Sequence, residues 1–504
     1  MFHKILRIIF FAVLILFFFE YFLYPVEIDD VWWHLGTGKW IFQNLAVPQQ
    51  DIFPFAGEPE PWVFTQWLGS SFLYLVFQAG GLTGLRIFRA VSFVLMLMIF
   101  FFYAYKKVPL TRLVLLVFLL AASLVPRCLL RPLIFNFFFI QIFLINLFAY
   151  ERNSRWRNLL YLPIGGIVWV NLHLGSLAYG AALMGIFLVS SGIQWGMARH
   201  ARDTEKEIVL AKKTQGLLAA LLIYLMVFLV NPYGLKGAWY PFKVFLEPGF
   251  INFYFYNHFI SEMQSPVKFL LEPLGVPFLL LFLWGAYALV TTRKARTTLA
   301  LLFSGALFFF FQGMRGCAFF AIVSVYIIAQ SAADQLPENG ARVSASGKRL
   351  YSFFYAAVIL LLGFHLIQGF FEKVSYGRQT VPAMSLDYPV QNPFSCIRYL
   401  KENGIKGRVF NDDSFGGYII WTSYPELKPF VDGRQLSQKS FLRYIEILLS
   451  PEDHWPAAEK EFRFDIILLD PSKVISQKLI HYLKADPGWE CVREEDACRL
   501  YIKR

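Results

Sequence analysis

The sequence predicts an α-helical polytopic membrane protein with about eleven transmembrane helices and a soluble α/β domain at its C-terminal end. Three observations predict this fold class. Hydrophobic residues make up 57% of the 504 residues and charged residues only 16%, which is more apolar than a water-soluble domain. The apolar residues form separate runs of roughly 17 to 25 residues, the length of a helix that crosses a bilayer. After residue 370, short strand-like and helix-like segments alternate instead.

The first apolar run is too long for the core of a signal peptide, and no small-residue cleavage site follows it. We therefore expect it to remain as the first membrane helix. The predicted spans are 5–24, 85–105, 109–125, 129–149, 157–171, 174–197, 214–230, 268–291, 297–312, 316–333 and 350–370.

The distribution of basic residues predicts the orientation. The net charge is +12, but the cations lie in short loops between apolar runs, a pattern that sets membrane topology and does not favour nucleic-acid binding. Residues 62–81 are ambiguous, because polar residues interrupt this apolar stretch and it ends in Gly80-Gly81. If this stretch spans the membrane, the later basic loops lie outside the cytoplasm. If it is interfacial or re-entrant, they lie in the cytoplasm, which satisfies the positive-inside rule.

We therefore predict a protein of the bacterial cytoplasmic (inner) membrane with a cytoplasmic N-terminus. Residues 1–370 form the membrane module, in which 25–84 is a first outer loop with interfacial helices. Residues 371–504 form a periplasmic or extracellular α/β domain. Within that domain the sequence predicts strands at 408–410, 418–421, 429–431 and 464–469, and helices at 440–449 and 477–484.

None of the five cysteines has the spacing of a metal site. Cys491 and Cys498 flank a predicted tight hairpin, which would place them opposite each other. A disulfide between them and two free thiols are the alternatives.

The first outer loop carries three acids within four residues, Glu27, Asp29 and Asp30, followed by Trp32-Trp33-His34. Carboxylates next to hydrocarbon are costly to desolvate and are candidates for function. They could deprotonate an acceptor, hold a divalent cation or position a hydroxyl. The alternative is a solvated boundary with interfacial tryptophans.

Three arginines lie at predicted outer helix ends, where positive charge is disfavoured: Arg127, Arg131 and Arg315. Guanidinium groups bind phosphate through paired hydrogen bonds, so these residues predict a buried anionic ligand. Snorkelling of each side chain to lipid headgroups is the alternative.

Two further outer segments carry candidate residues. His258 and Glu262 have a spacing of four, and Asn171 and His173 lie at another outer helix end. Histidines in such places are more often hydrogen-bonding partners than metal ligands, so we assign no metal ligand, although the acids could hold Mg²⁺ or Mn²⁺. The sequence contains no nucleotide-binding loop. Chemistry on the outer face has no nucleotide pool, so an activated substrate there would have to arrive attached to lipid or be taken from lipid.

The acidic motif from Glu27 to His34 resembles the first-loop motif of the GT-C superfamily of glycosyltransferases, which use polyprenyl-phosphate or polyprenyl-pyrophosphate sugars. This superfamily includes oligosaccharyltransferases and mannosyltransferase-like membrane proteins of bacteria. Residues 260–264, Ile-Ser-Glu-Met-Gln, are similar to the external-loop Ser-Glu motif of the oligosaccharyltransferase catalytic subunit. The resemblance implies an active-site role for Glu262 and leaves open whether Asp29 or Asp30 is catalytic. Residues 413–418 replace that enzyme's Trp-Trp-Asp-Tyr-Gly motif without its tryptophans, which speaks against asparagine-sequon recognition.

The resemblance implies an inverting transfer of a sugar from a polyprenyl-linked donor to a glycan, lipid or protein acceptor outside the cytoplasm. The predicted catalytic residues are Asp29, Asp30 and Glu262. The predicted substrate-binding residues are Glu27, His34, Arg127, Arg131, Asn171, His173, His258 and Arg315. Membrane lipids are expected partners and nucleic acids are not. The alternatives are a non-catalytic protein that binds or transports a lipid-linked saccharide, and an assembly scaffold.

Overall fold

A computed structural model describes residues 2–24, 30–55, 62–246, 264–292, 296–335, 345–378, 393–434, 436–495 and 497–504. Four predicted site residues lie outside these ranges: Glu27, Asp29, His258 and Glu262. The chain forms two compact units. The membrane unit consists of Met1–Tyr24 and Ile87–Ser375, and the loop–tail unit consists of Pro25–Arg86 and Tyr376–Arg504. Most of the first outer loop, which the sequence assigns to the membrane module, thus forms one unit with the C-terminal segment.

The protein is mostly helical. Its helices are α1 Phe2–Phe22, α2 Val31–Asn44, α3 Trp67–Ala104, α4 Leu110–Leu124, α5 Ile134–Asn153, α6 Trp156–Leu172, α7 Leu177–His200, α8 Thr204–Val227, α9 Leu235–Leu246, α10 Pro266–Phe269, α11 Val276–Thr291, α12 Arg296–Phe311, α13 Cys317–Asp334, α14 Ala345–Arg378, α15 Phe394–Glu402, α16 Asp413–Ser423, α17 Gln438–Leu449, α18 Pro451–Phe462 and α19 Ser476–Ala485.

Within the described residues, eight helices are long and apolar enough to cross a membrane. The other three predicted spans, 157–171, 297–312 and 350–370, also lie in helices, namely α6, α12 and α14. α12 and the segment Ser352–Gln368 of α14 are shorter apolar helices. The structure therefore confirms a polytopic helical membrane protein.

The ambiguous segment 62–81 ends at a break in the longest helix. Gly81 has φ 59° and ψ −150°, so α3 consists of two helices that meet at this residue. Only glycine adopts such a backbone conformation without strain. Trp67–Gly80 is therefore a helix distinct from the span that follows, although its position in the bilayer stays a prediction.

The membrane unit has an aromatic core with internal polar contacts. Tyr224 packs closely on two glycines. A Cβ built on Gly166 would lie 2.7 Å from a ring carbon of Tyr224, and one built on Gly180 would lie 2.2 Å from its hydroxyl oxygen. The Tyr224 hydroxyl donates to the carbonyl of Leu177 at 3.1 Å. Because this hydrogen bond satisfies the buried hydroxyl, its burial costs little folding free energy. Helices α6, α7 and α8 pack tightly around Tyr224.

The C-terminal segment carries a five-stranded sheet with the order β2-β1-β3-β5-β4. Its strands are β1 Gly407–Asn411, β2 Leu427–Pro429, β3 Ile466–Leu469, β4 Trp489–Glu494 and β5 Arg499–Lys503. β1 pairs in parallel with β2 and β3, whereas β5 is antiparallel to both β3 and β4. All four residues of β3 are buried, as expected for a central strand covered on both faces. The predicted C-terminal α/β fold is confirmed.

One predicted strand is a helix. Residues 418–421, Tyr-Ile-Ile-Trp, lie in α16, although this composition favours strands. The negative charge of Asp413 in the first turn stabilises the positive N-terminal end of the helix. Gly416 and Gly417 allow the helix to pack closely on Asp432 and Trp33. Tertiary packing thus overrides local propensity.

Neither of the two alternatives for Cys491 and Cys498, a disulfide between them or two free thiols, is correct. The predicted hairpin exists, but its register places Cys491 opposite Tyr501. Cys498 instead forms a disulfide with Cys396 of α15, and Cys491 is exposed and free. The bond closes a sequence separation of 102 residues and joins the first helix of the α/β domain to the last hairpin.

Candidate functional site

In the membrane unit, Arg89 fixes the end of α1, directly before the predicted acidic loop. The guanidinium of Arg89 donates to the carbonyls of Phe22 and Tyr24 and lies 3.6 Å from the centre of the Tyr24 ring. The Tyr24 hydroxyl donates to the carbonyl of Cys128 at 2.7 Å. These contacts join the exit of α1 to the chain segment beside Arg127.

The structure brings together three predicted binding residues: Arg127, His173 and Arg315. Arg127 is buried at the end of a 3₁₀ turn that follows α4, and Arg315 lies in a 3₁₀ turn between α12 and α13. His173 lies between α6 and α7. Burial, with the nearby Arg315 and Arg127 guanidiniums, lowers the pKa of His173 to about 4. The imidazole is therefore neutral at pH 7, and two fixed positive charges remain beside it. We call these three residues the cation cluster.

Tyr179, near the start of α7, also interacts electrostatically with Arg127 and Arg315. Its ring is stacked on Phe319 with 4.7 Å between centroids, which fixes the side chain next to the cluster. Sequence reasoning missed this residue, because a tyrosine in an apolar run carries no distinguishing signal.

Two further predicted residues lie close to the cluster in the chain. Asn171 donates from Nδ2 to the carbonyls of Ile167 and Val230, at 2.9 Å and 2.8 Å, and so ties the end of α6 to the segment after α8. Arg131 is half-buried in the turn that leads into α5. The part that these two residues play in binding stays a prediction.

In the loop–tail unit, Asp30 occupies the N-cap position of α2. Its carboxylate lies against Gly433, since a Cβ built on that glycine would be 2.6 Å from Asp30 Oδ1. Gly433 belongs to the turn Val431-Asp432-Gly433-Arg434, which follows β2. The carboxylate can approach this turn because residue 433 has no side chain. Sequence reasoning missed this contact, although an Asp-Gly pair is a turn signal.

A buried ion network holds the turn beside Asp30. Arg434 donates to Asp432 Oδ2 at 2.5 Å and to Asp51 Oδ1 at 2.8 Å, and all three side chains are at most 8% exposed. The guanidinium also lies over the rings of Phe53 and Trp62, 5.0 Å and 4.7 Å from their centres. Burial raises the pKa of Asp51, and Arg434 opposes that rise. The network joins the first outer loop to the turn that contains Gly433.

His34 packs inside the same unit. Its Nδ1 lies 2.6 Å from Ser70 Oγ, and its ring contacts that of Trp33 with 3.6 Å between centroids. The residue is 1% exposed, so the structure gives it a part in packing α2 against the first half of α3. Its predicted role in substrate binding has no further support.

α2 is held firmly by α16. A Cβ on Gly36 would be 2.6 Å from a side-chain carbon of Ile420, and one on Gly417 would be 3.3 Å from the backbone nitrogen of Trp33. Small residues at such crossings let helix backbones approach closely. Because α2 begins at Asp30, this packing fixes the direction in which the chain enters the helix.

Among the described residues, no group of three or more histidine, cysteine, aspartate or glutamate side chains is arranged to hold a metal ion. Most of the acids that the sequence offers for a divalent cation, Glu27, Asp29 and Glu262, lie outside the described ranges. Binding of Mg²⁺ or Mn²⁺ therefore stays a prediction.

No family model matches the sequence, and no curated protein matches it either. Solved structures are similar. The oligosaccharyltransferase AglB of Archaeoglobus fulgidus, in complex with an inhibitory peptide and a dolichol-phosphate, is 14% identical with a TM-score of 0.52 over 88% of this chain. The apo form of the A. fulgidus oligosaccharyltransferase gives 13% identity, a TM-score of 0.50 and the same coverage.

The chain spans 65% and 66% of the length of these two archaeal structures. ArnT from Cupriavidus metallidurans, bound to undecaprenyl phosphate, is 13% identical with a TM-score of 0.48, over 99% of this chain and 97% of that one. The similarity to the archaeal enzyme is one of fold. The protein therefore has a fold similar to that of the archaeal oligosaccharyltransferase, in agreement with the fold that the first-loop resemblance implies.

Proposed function

We propose that the protein is a membrane glycosyltransferase that transfers a sugar, with inversion, from a polyprenyl-phosphate or polyprenyl-pyrophosphate donor to an extracytoplasmic acceptor. The observation that carries the proposal is the cation cluster of Arg127, His173 and Arg315. Two guanidiniums at helix ends of a membrane unit, beside a neutral imidazole, match the charge and hydrogen-bonding needs of a lipid phosphate. The fold shared with an oligosaccharyltransferase bound to a dolichol-phosphate supports the same class of donor.

In the proposed reaction, a carboxylate of the first outer loop, Asp29 or Asp30, accepts the proton of an acceptor hydroxyl. The acceptor oxygen forms a bond to the anomeric carbon from the face opposite the leaving group, which inverts the configuration. The bond between that carbon and the phosphate oxygen breaks, and its electron pair leaves with the lipid phosphate. Arg127 and Arg315 stabilise the negative charge that develops on this phosphate. Electrostatic stabilisation of this kind is usually the largest single contribution to catalysis.

We propose a bacterial cytoplasmic membrane location with the α/β domain outside the cytoplasm. The disulfide between Cys396 and Cys498 supports this, because such bonds persist in oxidising compartments. The acceptor is a glycan, a lipid or a protein.

The test is mass analysis of the cell-surface glycans and glycoproteins with and without this protein. A glycan or glycoprotein that loses one sugar in its absence, and regains it on complementation with the wild type, is the expected result. The Asp29→Asn/Asp30→Asn double variant should express normally and fail to restore the sugar.

The matched control is Asp203→Asn, which removes a half-buried carboxylate paired with the exposed Lys206 at 2.7 Å and should restore the sugar fully. Full activity of the double variant would remove the catalytic assignment of these two acids. A wild-type protein that binds the lipid-linked sugar without transferring it would favour the alternative of a binding or transport protein.

A further inference from the structure

A groove lies in the membrane unit, between α1, the second half of α3 and α4. This groove has a volume of about 360 Å³. Apart from Arg7 and Tyr105, its described lining is apolar, with Phe11, Val94 and Val117 among the side chains that form the walls. A groove of this composition within membrane helices suits a hydrocarbon chain and not a sugar or a peptide.

The two polar residues lie together at one end of the groove. Arg7 Nη1 donates to Tyr105 Oη at 3.4 Å, so the tyrosine directs an exposed guanidinium to the groove entrance. Lys106, exposed as well, follows Tyr105 in the chain. An apolar channel that ends in a guanidinium has the shape and charge of an anionic lipid, with its phosphate at Arg7 and a chain along the helices.

The entrance lies at the opposite end of the helices from the cation cluster. Arg7 and Tyr105 belong to the start of α1 and the loop before α4, whereas Arg127 follows the end of α4. The 15 residues of α4 separate the two ends by about 22 Å. A lipid bound at Arg7 therefore has its headgroup in the other leaflet from a lipid bound at Arg127.

α1 has apolar surface that such a lipid would cover. Only 22% of its membrane-spanning window is buried by the protein, and Ile8 and Ile15, which line the groove, are 68% and 39% exposed. Basic loops favour the cytoplasmic side, where anionic glycerophospholipids attract them.

We propose that this groove binds an anionic glycerophospholipid of the cytoplasmic leaflet, held by Arg7 and by packing of one acyl chain between α1, α3 and α4. The site is separate from the proposed sugar-donor site, and it attaches a loosely packed first helix to the rest of the unit.

The experiment uses the full-length protein in nanodiscs that contain equal amounts of phosphatidylglycerol and phosphatidylcholine, with native mass spectrometry of the lipids that stay bound after release. The wild type should retain phosphatidylglycerol preferentially. Arg7→Gln should reduce that retention about fivefold, the effect of one cation on anionic lipid. The matched control is Arg112→Gln, which removes an exposed cation in the first turn of α4 that does not line the groove and should change nothing.

A second variant separates charge from packing. Val94→Trp fills the groove and keeps Arg7, and it should also reduce phosphatidylglycerol retention while the protein remains monodisperse. The proposal would be overturned if Arg7→Gln retained as much phosphatidylglycerol as the wild type does. It would also be overturned if the wild type retained phosphatidylcholine as well as phosphatidylglycerol. A third arm adds undecaprenyl phosphate, and displacement of phosphatidylglycerol by it in an Arg7-dependent manner would assign the groove to the carrier lipid instead.

Discussion

The two compact units place their cations in different surroundings. In the membrane unit, Arg127 and Arg315 both lie near His173, so positive charges are gathered together. In the loop–tail unit, the buried cation Arg434 is paired with two carboxylates, Asp51 and Asp432. Two guanidiniums close to one imidazole suit an anionic ligand, whereas a guanidinium between two carboxylates holds chain segments in place. We therefore assign binding of the lipid phosphate to the membrane unit and positioning of Asp30 to the loop–tail unit.

The largest effect is expected from Arg434→Met. This change leaves Asp51 and Asp432 buried without their shared partner, which should reduce the stability of the loop–tail unit by roughly 3–5 kcal/mol. Hydrogen exchange of the β1 and β3 amides in the full-length protein measures the change. The matched control is Arg443→Ala, which removes an exposed ion pair with Glu446 and should cost less than about 1 kcal/mol. Equal protection in both variants would show that the network does not hold the unit together.

The next effect is expected from loss of the disulfide. Cys396→Ser should destabilise the same unit by about 2–5 kcal/mol, because the bond restricts a long loop in the unfolded chain. Cys491→Ser, at the exposed free thiol, should have no effect. Alkylation with mass analysis identifies the paired thiols, and protection of Cys491 from alkylation would contradict the observed pairing.

A smaller effect, on activity and not stability, is expected from Gly433→Ala. The added methyl group would displace the Asp30 carboxylate, and a displacement of about 1 Å at a reacting group can reduce a rate about 100-fold. Sugar transfer by membranes that contain the variant measures this loss. Gly80→Ala is the control in the same unit, since nothing lies within 4 Å of the added atom. Unchanged transfer by Gly433→Ala would separate this turn from the chemistry.

The smallest effect concerns pH. The pKa of His173 is about 4 in the folded protein and 6.5 in an exposed histidine. Below pH 6.5 the unfolded chain therefore binds a proton that the folded protein does not, so stability should fall as the pH decreases from 6.5 toward 4. His173→Gln should remove this part of the acid sensitivity. The melting temperatures of both proteins at pH 7 and pH 5 test it, and identical shifts on acidification would contradict the buried, neutral histidine.

The sequence predicts the features that depend on composition averaged over many residues. Apolar run lengths predict the helices, and the change in composition after residue 370 predicts the α/β domain, both confirmed by the structure. Helix ends were also informative, because Arg127, His173 and Arg315 were each assigned from their positions and the structure brings them together.

Features that depend on exact pairing could not be predicted in this way. The sequence predicts the hairpin of β4 and β5, but the strand pairing places Cys491 opposite Tyr501, and Cys498 forms its disulfide with Cys396. Residues 418–421 have strand-like composition and are helical, because Gly416 and Gly417 allow α16 to pack closely on its neighbours. The approach of Gly433 to Asp30 joins residues about 400 positions apart, for which a single sequence carries no signal.

The most direct test of the account measures lipid binding and sugar transfer on the same variants. Undecaprenyl phosphate is the binding probe, and the transfer product is followed by mass analysis. The account predicts that Arg127→Ala/Arg315→Ala weakens lipid binding at least about 100-fold, since two charge-assisted contacts are lost. It predicts that Asp29→Asn/Asp30→Asn keeps wild-type lipid binding and loses transfer. Loss of lipid binding in the aspartate variant, or its retention in the arginine variant, would contradict the division of roles between the two units.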